Sequence, residues 1–267
     1  MIQRPKFRTA VIFIALTFLI TWGINVPLAL AAHHIIRFSV HRWVEIMSTL
    51  SPGIVALLIT AVQLGKISLK DLLLQIVKWR VNLTWYIFAV FIPALAVAAS
   101  LWIYHIIFHQ SVDASEWYLP LILFFIFIPF SPLWEEIGLR GFLLPILQSK
   151  FHLLLAAVIL GLIWGIWHIP MYLVHNPKGN RTGLFLVFFI SGTIPLKVLF
   201  AWLFNNTKGS LFLTIVFHSA INATFSLFSK LPTGALRPFI YTMALVSLTA
   251  IFIIWKTKGR LAIPIHE

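Results

Sequence analysis

The sequence predicts an all-α, polytopic membrane protein with about eight transmembrane helices, a single domain over residues 1–267, and its chemistry in a central intramembrane cavity. Three observations predict this. Of the 267 residues, 60% are hydrophobic and only 10% charged, whereas a soluble domain carries about 25% charged residues. That is too little polar surface to cover a globule in water, and it excludes a cytosolic enzyme, a disordered tail and a secreted scaffold together. Apolar runs of spanning length recur along the chain; about 20 residues are needed, because about 30 Å of hydrocarbon is crossed at 1.5 Å per residue. The 20 Lys and Arg outnumber the 7 Asp and Glu, for a net charge of +13, and they sit mostly between the apolar runs, as topology signals do.

In chain order, spans are expected at about 10–32, 43–64, 84–108, 119–148, 152–175, 184–204, 209–228 and 236–255. The first follows Arg4, Lys6 and Arg8 and ends in Ala29-Leu30-Ala31, the outline of a signal peptide. It exceeds the 7–15 residues of such a core, so it is read as a span. The fourth is longer than a span and contains Pro129 and Pro132, so a bend is expected there, with a second half running from Leu133 towards Lys150. Residues 66–80 carry Lys66, Lys70, Asp71, Gln75 and Lys78 on one stripe, opposite Ile67, Leu69, Leu73, Ile76 and Val77, which reads as an interfacial helix on the headgroups. With the N-terminus cytoplasmic, that side carries twelve Lys and Arg, and the opposite side six (Arg37, Arg42, Lys178, Arg181, Lys230 and Arg237). Both termini are therefore expected inside, as an even number of spans requires. Arg140 and Lys197 fall within spans and complete the twenty.

A basic excess in a soluble chain would suggest nucleic acid. Here no basic patch interleaves with stacking aromatics in a polar context, so the expected partners are the lipid bilayer and a membrane-associated peptide or protein, with no nucleic acid. The chain has no Cys, which removes disulfides, thiolate ligands and a thiol nucleophile.

Five of the seven acids, Glu45, Asp71, Asp113, Glu116 and Glu267, lie in loops, near span ends or at the terminus. Glu135 and Glu136 sit side by side inside the fourth span, where each charge costs about 2.5–3.5 kcal/mol on an insertion scale and the two repel each other. Arg140 follows Glu136 by four residues and shares its helix face, so Glu136–Arg140 reads as a structural pair. Glu135 points about 100° away, is expected to lack a partner in its own helix, and faces a wet cavity. His168 shares a face with Trp164 in one span, and His218 with Asn222 in another. Each is a poor choice facing lipid, and they can satisfy one another only by converging. Such a set suits amide hydrolysis. Glu135 with His168 supplies a general base and a group that orients water, while His218 and Asn222 supply donors for an oxyanion. No Ser or Cys stands in a nucleophile setting, since Ser219 adjoins His218 only in sequence, which favours direct attack by water. Two His and a carboxylate also suit Zn²⁺ with a vacant position, although HExxH is absent.

SPLWEEIGLRGFLLP resembles the EExxxR motif of the CPBP intramembrane proteases, the CAAX-processing and bacteriocin-processing enzymes also called the ABI family. GLIWGIWHIP resembles its FxxxH motif and KGSLFLTIVFHSAINATF its HxxxN motif, in the family order, over core motifs at about 115–228. The resemblance implies an eight-helix membrane hydrolase in which Glu135 and His168 activate water, and His218 and Asn222 stabilise the oxyanion. Glu136, Arg140 and Trp164 would have supporting roles. It implies a multi-pass protein of a bacterial cell membrane acting on a prenylated CAAX tail, a bacteriocin-like peptide or another membrane-protein segment. Family members are commonly called metalloproteases, but the motif also reads as a metal-free glutamate protease, and the metal-free reading is preferred over zinc. Trp164 stands where the motif has Phe, a change read as mild because both are large aromatics. Two other classes share these features: a proton-coupled carrier, whose ion relay would use the same Glu and His, and a non-catalytic peptide-binding immunity protein. The carrier's paired inverted repeats are absent from the sequence. Gly161 and Gly165 form a GxxxG pattern, read as a close helix approach near His168.

Overall fold

The computed structural model describes residues 7–110, 116–175, 182–230 and 236–262. Arg4, Lys6, Asp113, Lys178, Arg181 and Glu267, and the side chain of Lys230, lie outside the described residues. Among the described residues every regular element is helical. Seven helices are long and apolar enough to cross a membrane, and a bent pair makes an eighth span.

Helix α1 (Phe7–Ala32) runs unbroken through Pro27 and is held by polar contacts at its inner face. Thr21 and Ser51 hydroxyls lie 2.7 Å apart, Asn25 Nδ2 donates to Ser48 Oγ at 2.8 Å, and the Trp22 indole donates to the Trp167 carbonyl at 3.1 Å. The second span differs from the expected 43–64. A separate short helix, α2 (Arg42–Ser48), precedes it, and the spanning stretch Ser51–Ile76 joins α3 (Ser51–Ile59), a π-helical turn and α4 (Gly65–Ile76). Pro52 lies in the first turn of α3 and starts a new helix there, which the hydropathy run could not reveal. Gly65, at φ +80°, is the joint into α4, a left-handed backbone that glycine adopts without strain. The expected interfacial helix is thus an extension of the second span that ends at Ile76 rather than 80. Ile67 and Val77 are exposed, but Leu72 is buried, so one face rests on protein.

Helix α5 (Leu83–Phe108) is capped by the Asn82 side chain, which accepts from the Thr84 amide. The fourth span bends by 47° between α6 (Leu119–Phe127) and the stretch Ser131–Gln148. That stretch comprises α7 (Ser131–Glu136), a π-helical turn (Ile137–Leu143) and α8 (Leu144–Gln148). The break falls at the expected prolines: Pro129 has no amide to continue the ladder, and Pro132 sits in the opening turn of α7. Helices α9 (Leu153–Trp167) and α10 (Ile169–His175) form the next span, joined at His168. Helices α11 (Thr182–Asn206), α12 (Leu211–Phe225) and α13 (Leu236–Thr257) complete the bundle.

Large apolar side chains such as Leu19, Phe125 and Trp255 point outward, as lipid requires in place of a polar surface. Helix α12 lies at the centre: 67% of its spanning stretch is buried, against 22–44% for the other unbroken spans. A polar side chain on it is therefore an interior one. Helices α9 and α11 pack most closely. A Cβ at Gly161 would lie 2.8 Å from Ile194 Cα, and Thr193 Oγ1 donates to the Gly161 carbonyl at 2.9 Å. The GxxxG pattern thus serves an approach within the molecule.

Replacing Gly161 by Val should overpack this contact and cost about 1–3 kcal/mol, read as a lower thermal midpoint in detergent. Gly23→Ala, where the added carbon meets nothing within 4 Å, should leave the midpoint unchanged or slightly raised.

Candidate active site

The buried charges follow from the two irregular helical segments of the fourth span. Helix α7 delivers Glu135 and Glu136, both fully enclosed, and the π-helical turn after it delivers Arg140. Such turns carry an extra residue and recur at functional sites. This one lies close against α3, where a Cβ at Gly138 would come within 2.6 Å of the Pro52 backbone.

Glu136 Oε1 accepts from Arg140 Nη1 at 2.9 Å, the expected pair. The same oxygen faces His218 Nδ1 at 2.8 Å, a contact the sequence reading missed. The carboxylate therefore takes the Nδ1 proton and presents His218 Nε2 towards Glu135, 4.0 Å from its Oε2. Glu135 was expected to lack a partner in its own helix. The structure corrects this, because Ser131 Oγ, one turn earlier, donates to Glu135 Oε1 at 2.5 Å. The only sequence signal was the i, i+4 spacing of Ser131 and Glu135.

Trp164 also differs from expectation. It does more than pack beside the site, since its indole Nε1–H donates to Glu135 Oε2, a bond a phenylalanine cannot make. One turn on, His168 Nδ1 bonds the Trp164 carbonyl at 2.9 Å. A carbonyl only accepts, so the Nδ1 of His168 carries the proton and Nε2 is free to accept. The His168 and Trp164 rings lie 4.0 Å apart, centroid to centroid.

These groups open onto a cavity of about 450 Å³ lined by Glu135, Trp164, His168, His218 and Asn222, within the size range of ligand pockets. All four side chains expected to do the chemistry thus share one cavity. Its remaining wall is largely aromatic, with Phe185, Phe189, Phe225 and Phe239. Ser219, by contrast, donates to the Phe124 carbonyl and does not line the cavity. Lys197 of α11 does line it, fully buried, with its Nζ 3.5 Å from the centroid of the Trp164 ring. The sequence signal was a lone lysine inside a span, and it was used only in the charge count.

Among the described residues no group of three or more His, Asp or Glu side chains is arranged to hold a metal ion. Both Nδ1 atoms are already committed, to Glu136 and to the Trp164 carbonyl.

Residues 116–224, which contain every residue named in the three motifs, match the family described as type II CAAX prenyl endopeptidase Rce1-like. The chain is also 30% identical over 92 residues to the CAAX prenyl protease 2 of Methanococcus maripaludis, over 33% of this chain and 34% of that protein. The alignment thus spans about a third of the curated relative.

Removing the guanidinium by Arg140→Met leaves Glu136 buried with one cationic neighbour fewer. The expected loss is about 3–5 kcal/mol, measured as a fall in the detergent unfolding midpoint well beyond that of Glu135→Gln.

Proposed function

We infer that this chain, whose residues 116–224 match the Rce1-like type II CAAX prenyl endopeptidase family, is an intramembrane endopeptidase that hydrolyses a peptide bond of a membrane-associated substrate. The observation that carries this reading is the convergence of Glu135, His168, His218 and Asn222 on one cavity. Each comes from a position where an unpartnered polar group would be unfavourable.

The hydrogen bonds support distinct roles. Glu135, held by Ser131 and Trp164, is the general base that takes a proton from water. His168, its Nδ1–H fixed on the Trp164 carbonyl, accepts the other O–H at Nε2 and aims the oxygen. The water oxygen bonds to the scissile carbonyl carbon, and the carbonyl electron pair moves to oxygen. His218 and Asn222 stabilise that oxyanion. With its Nδ1–H on Glu136, His218 donates from Nε2 as an imidazolium, and the Glu136 carboxylate balances its charge. The C–N bond then breaks, and Glu135 returns the proton to the leaving nitrogen.

The relative's name supports a prenylated CAAX tail as substrate, and the aromatic wall of the cavity suits an apolar chain. A bacteriocin-like peptide or another membrane-protein segment is the other class the family suggests. Loop charge supports cytoplasmic termini and access to the site from the cytoplasmic side.

Membranes containing Glu135→Ala should turn over a prenylated peptide about 10²–10⁴-fold more slowly than wild type; equal rates would overturn the assignment. Asn222→Ala should lower kcat by about 10²–10³ with little change in KM, as loss of an oxyanion donor does. Chelator should leave wild-type turnover unchanged, and loss of activity restored by added Zn²⁺ would overturn the metal-free mechanism.

A further inference from the structure

Lys197 has no part in the mechanism above, and packing does not account for it. It is fully buried on α11, and its Nζ makes no hydrogen bond among the described residues. A buried ammonium is expensive unless something compensates it, and a methionine would fill the same space without that cost.

What Lys197 does touch is aromatic. Its Nζ sits 3.5 Å from the centroid of the Trp164 indole and 4.7 Å from that of Phe200. Arg140 Cζ lies 3.9 Å from the centroid of the same Phe200 ring. The charges form an ordered row: Arg140 against Phe200, Phe200 against Lys197, Lys197 against Trp164, and the Trp164 N–H on Glu135. Two basic side chains, Arg140 and Lys197, thus stand beside two acidic ones, Glu136 and Glu135.

Resting on the hydrolase reading, we propose that Lys197 is a positioning residue that acts through Trp164. Its ammonium, seated on the indole face, draws electron density from the ring and strengthens the Nε1–H bond that aims the Glu135 carboxylate. A cation is attracted to the face of a Trp ring, more strongly where the pair is desolvated, and the only polar atom of that ring is the one donating to Glu135. The other polar groups around Glu135 are Ser131 and Glu136 on its own helix, Arg140 on the following turn, His168 on α9, and His218 and Asn222 on α12. Lys197 also interacts directly with Glu135 through space, but Trp164 is the side chain that both carries the Lys197 nitrogen on its ring face and donates to the carboxylate.

The test is a double-mutant cycle in the full-length reconstituted protein, with Lys197→Met, Trp164→Phe and both together. Lys197→Arg serves as the charge-keeping control, and the unfolding midpoint of each variant is recorded. Lys197→Met should lower kcat about tenfold to thirtyfold with KM nearly constant, and Lys197→Arg should stay within about threefold of wild type. In the Trp164→Phe background Lys197→Met should cost almost nothing more, because the bond it acts through is gone. Losses that multiply, or a Lys197→Met protein that turns over like wild type, would overturn the proposal. A second readout does not need turnover. The infrared difference between wild type and Glu135→Gln isolates the Glu135 carboxyl bands, and Lys197→Met and Trp164→Phe should each displace them. Unmoved bands refute the role of Lys197. If wild type shows displaced bands in these variants but cleaves no peptide, the hydrolase reading fails while the coupling stands.

Discussion

Two adjacent carboxylates inside a membrane-spanning segment constrain everything around them, because hydrocarbon supplies no water to solvate them and each repels the other. The protein separates their fates by one helical step. Glu136 points towards Arg140 and His218 and is held by both. Glu135 points into the cavity and accepts hydrogen bonds from Ser131 and Trp164, with His218 Nε2 at 4.0 Å. The ion pair and the histidine contact fill one oxygen of Glu136, while the neighbouring acid is the one that lines the cavity. The bundle must deliver partners from α9, α11 and α12 to a single depth, and it does so by putting α12 at the centre, where His218 meets both acids.

The helical count and the order of the spans were legible because lipid imposes a length and a composition on any helix that crosses it. The bend at Pro129 and Pro132 was legible for a local reason, the missing amides. The boundaries of the second span were not. Hydropathy averages over the start signal at Pro52 and over Gly65, whose positive φ turns the backbone without changing the apolar content. The helix beyond Gly65 looked interfacial because its periodicity records two faces, and periodicity cannot say whether the apolar face meets lipid or protein. Leu72 meets protein.

In the site, the members carrying charge or imidazole were legible, since a polar group at membrane depth stands out against an apolar background. Their pairings were only half legible. Glu136–Arg140 lies within one helix, at a spacing the sequence displays. His218–Glu136 joins residues 82 apart, and nothing in a single sequence records that separation. Trp164 was underread for a different reason: an indole counts as apolar in any hydropathy reading, although its one N–H is a strong donor when a carboxylate faces it. Ser131 and Lys197 were visible as letters, but Ser131 drew no reading of its own and Lys197 entered only a charge count.

The same contact that stabilises the bundle also sets the electrostatics of the site. Trp164 lies on α9 between Gly161 and Trp167, and Lys197 lies on α11 just beyond Thr193 and Ile194. Gly161 and Gly165 let the two helices approach to backbone contact, and beside that contact the lysine nitrogen lies over the face of the indole. A bulkier residue at either glycine would separate the helices and lengthen the cation–ring distance together. Cation–ring attraction fades over a few ångströms, whereas dispersion between the helices is spread over many atoms. On the proposed coupling through Trp164, a small loss of packing at Gly165 would be a larger loss of order at Glu135, and close helix fit would be a condition of the chemistry as well as of the fold.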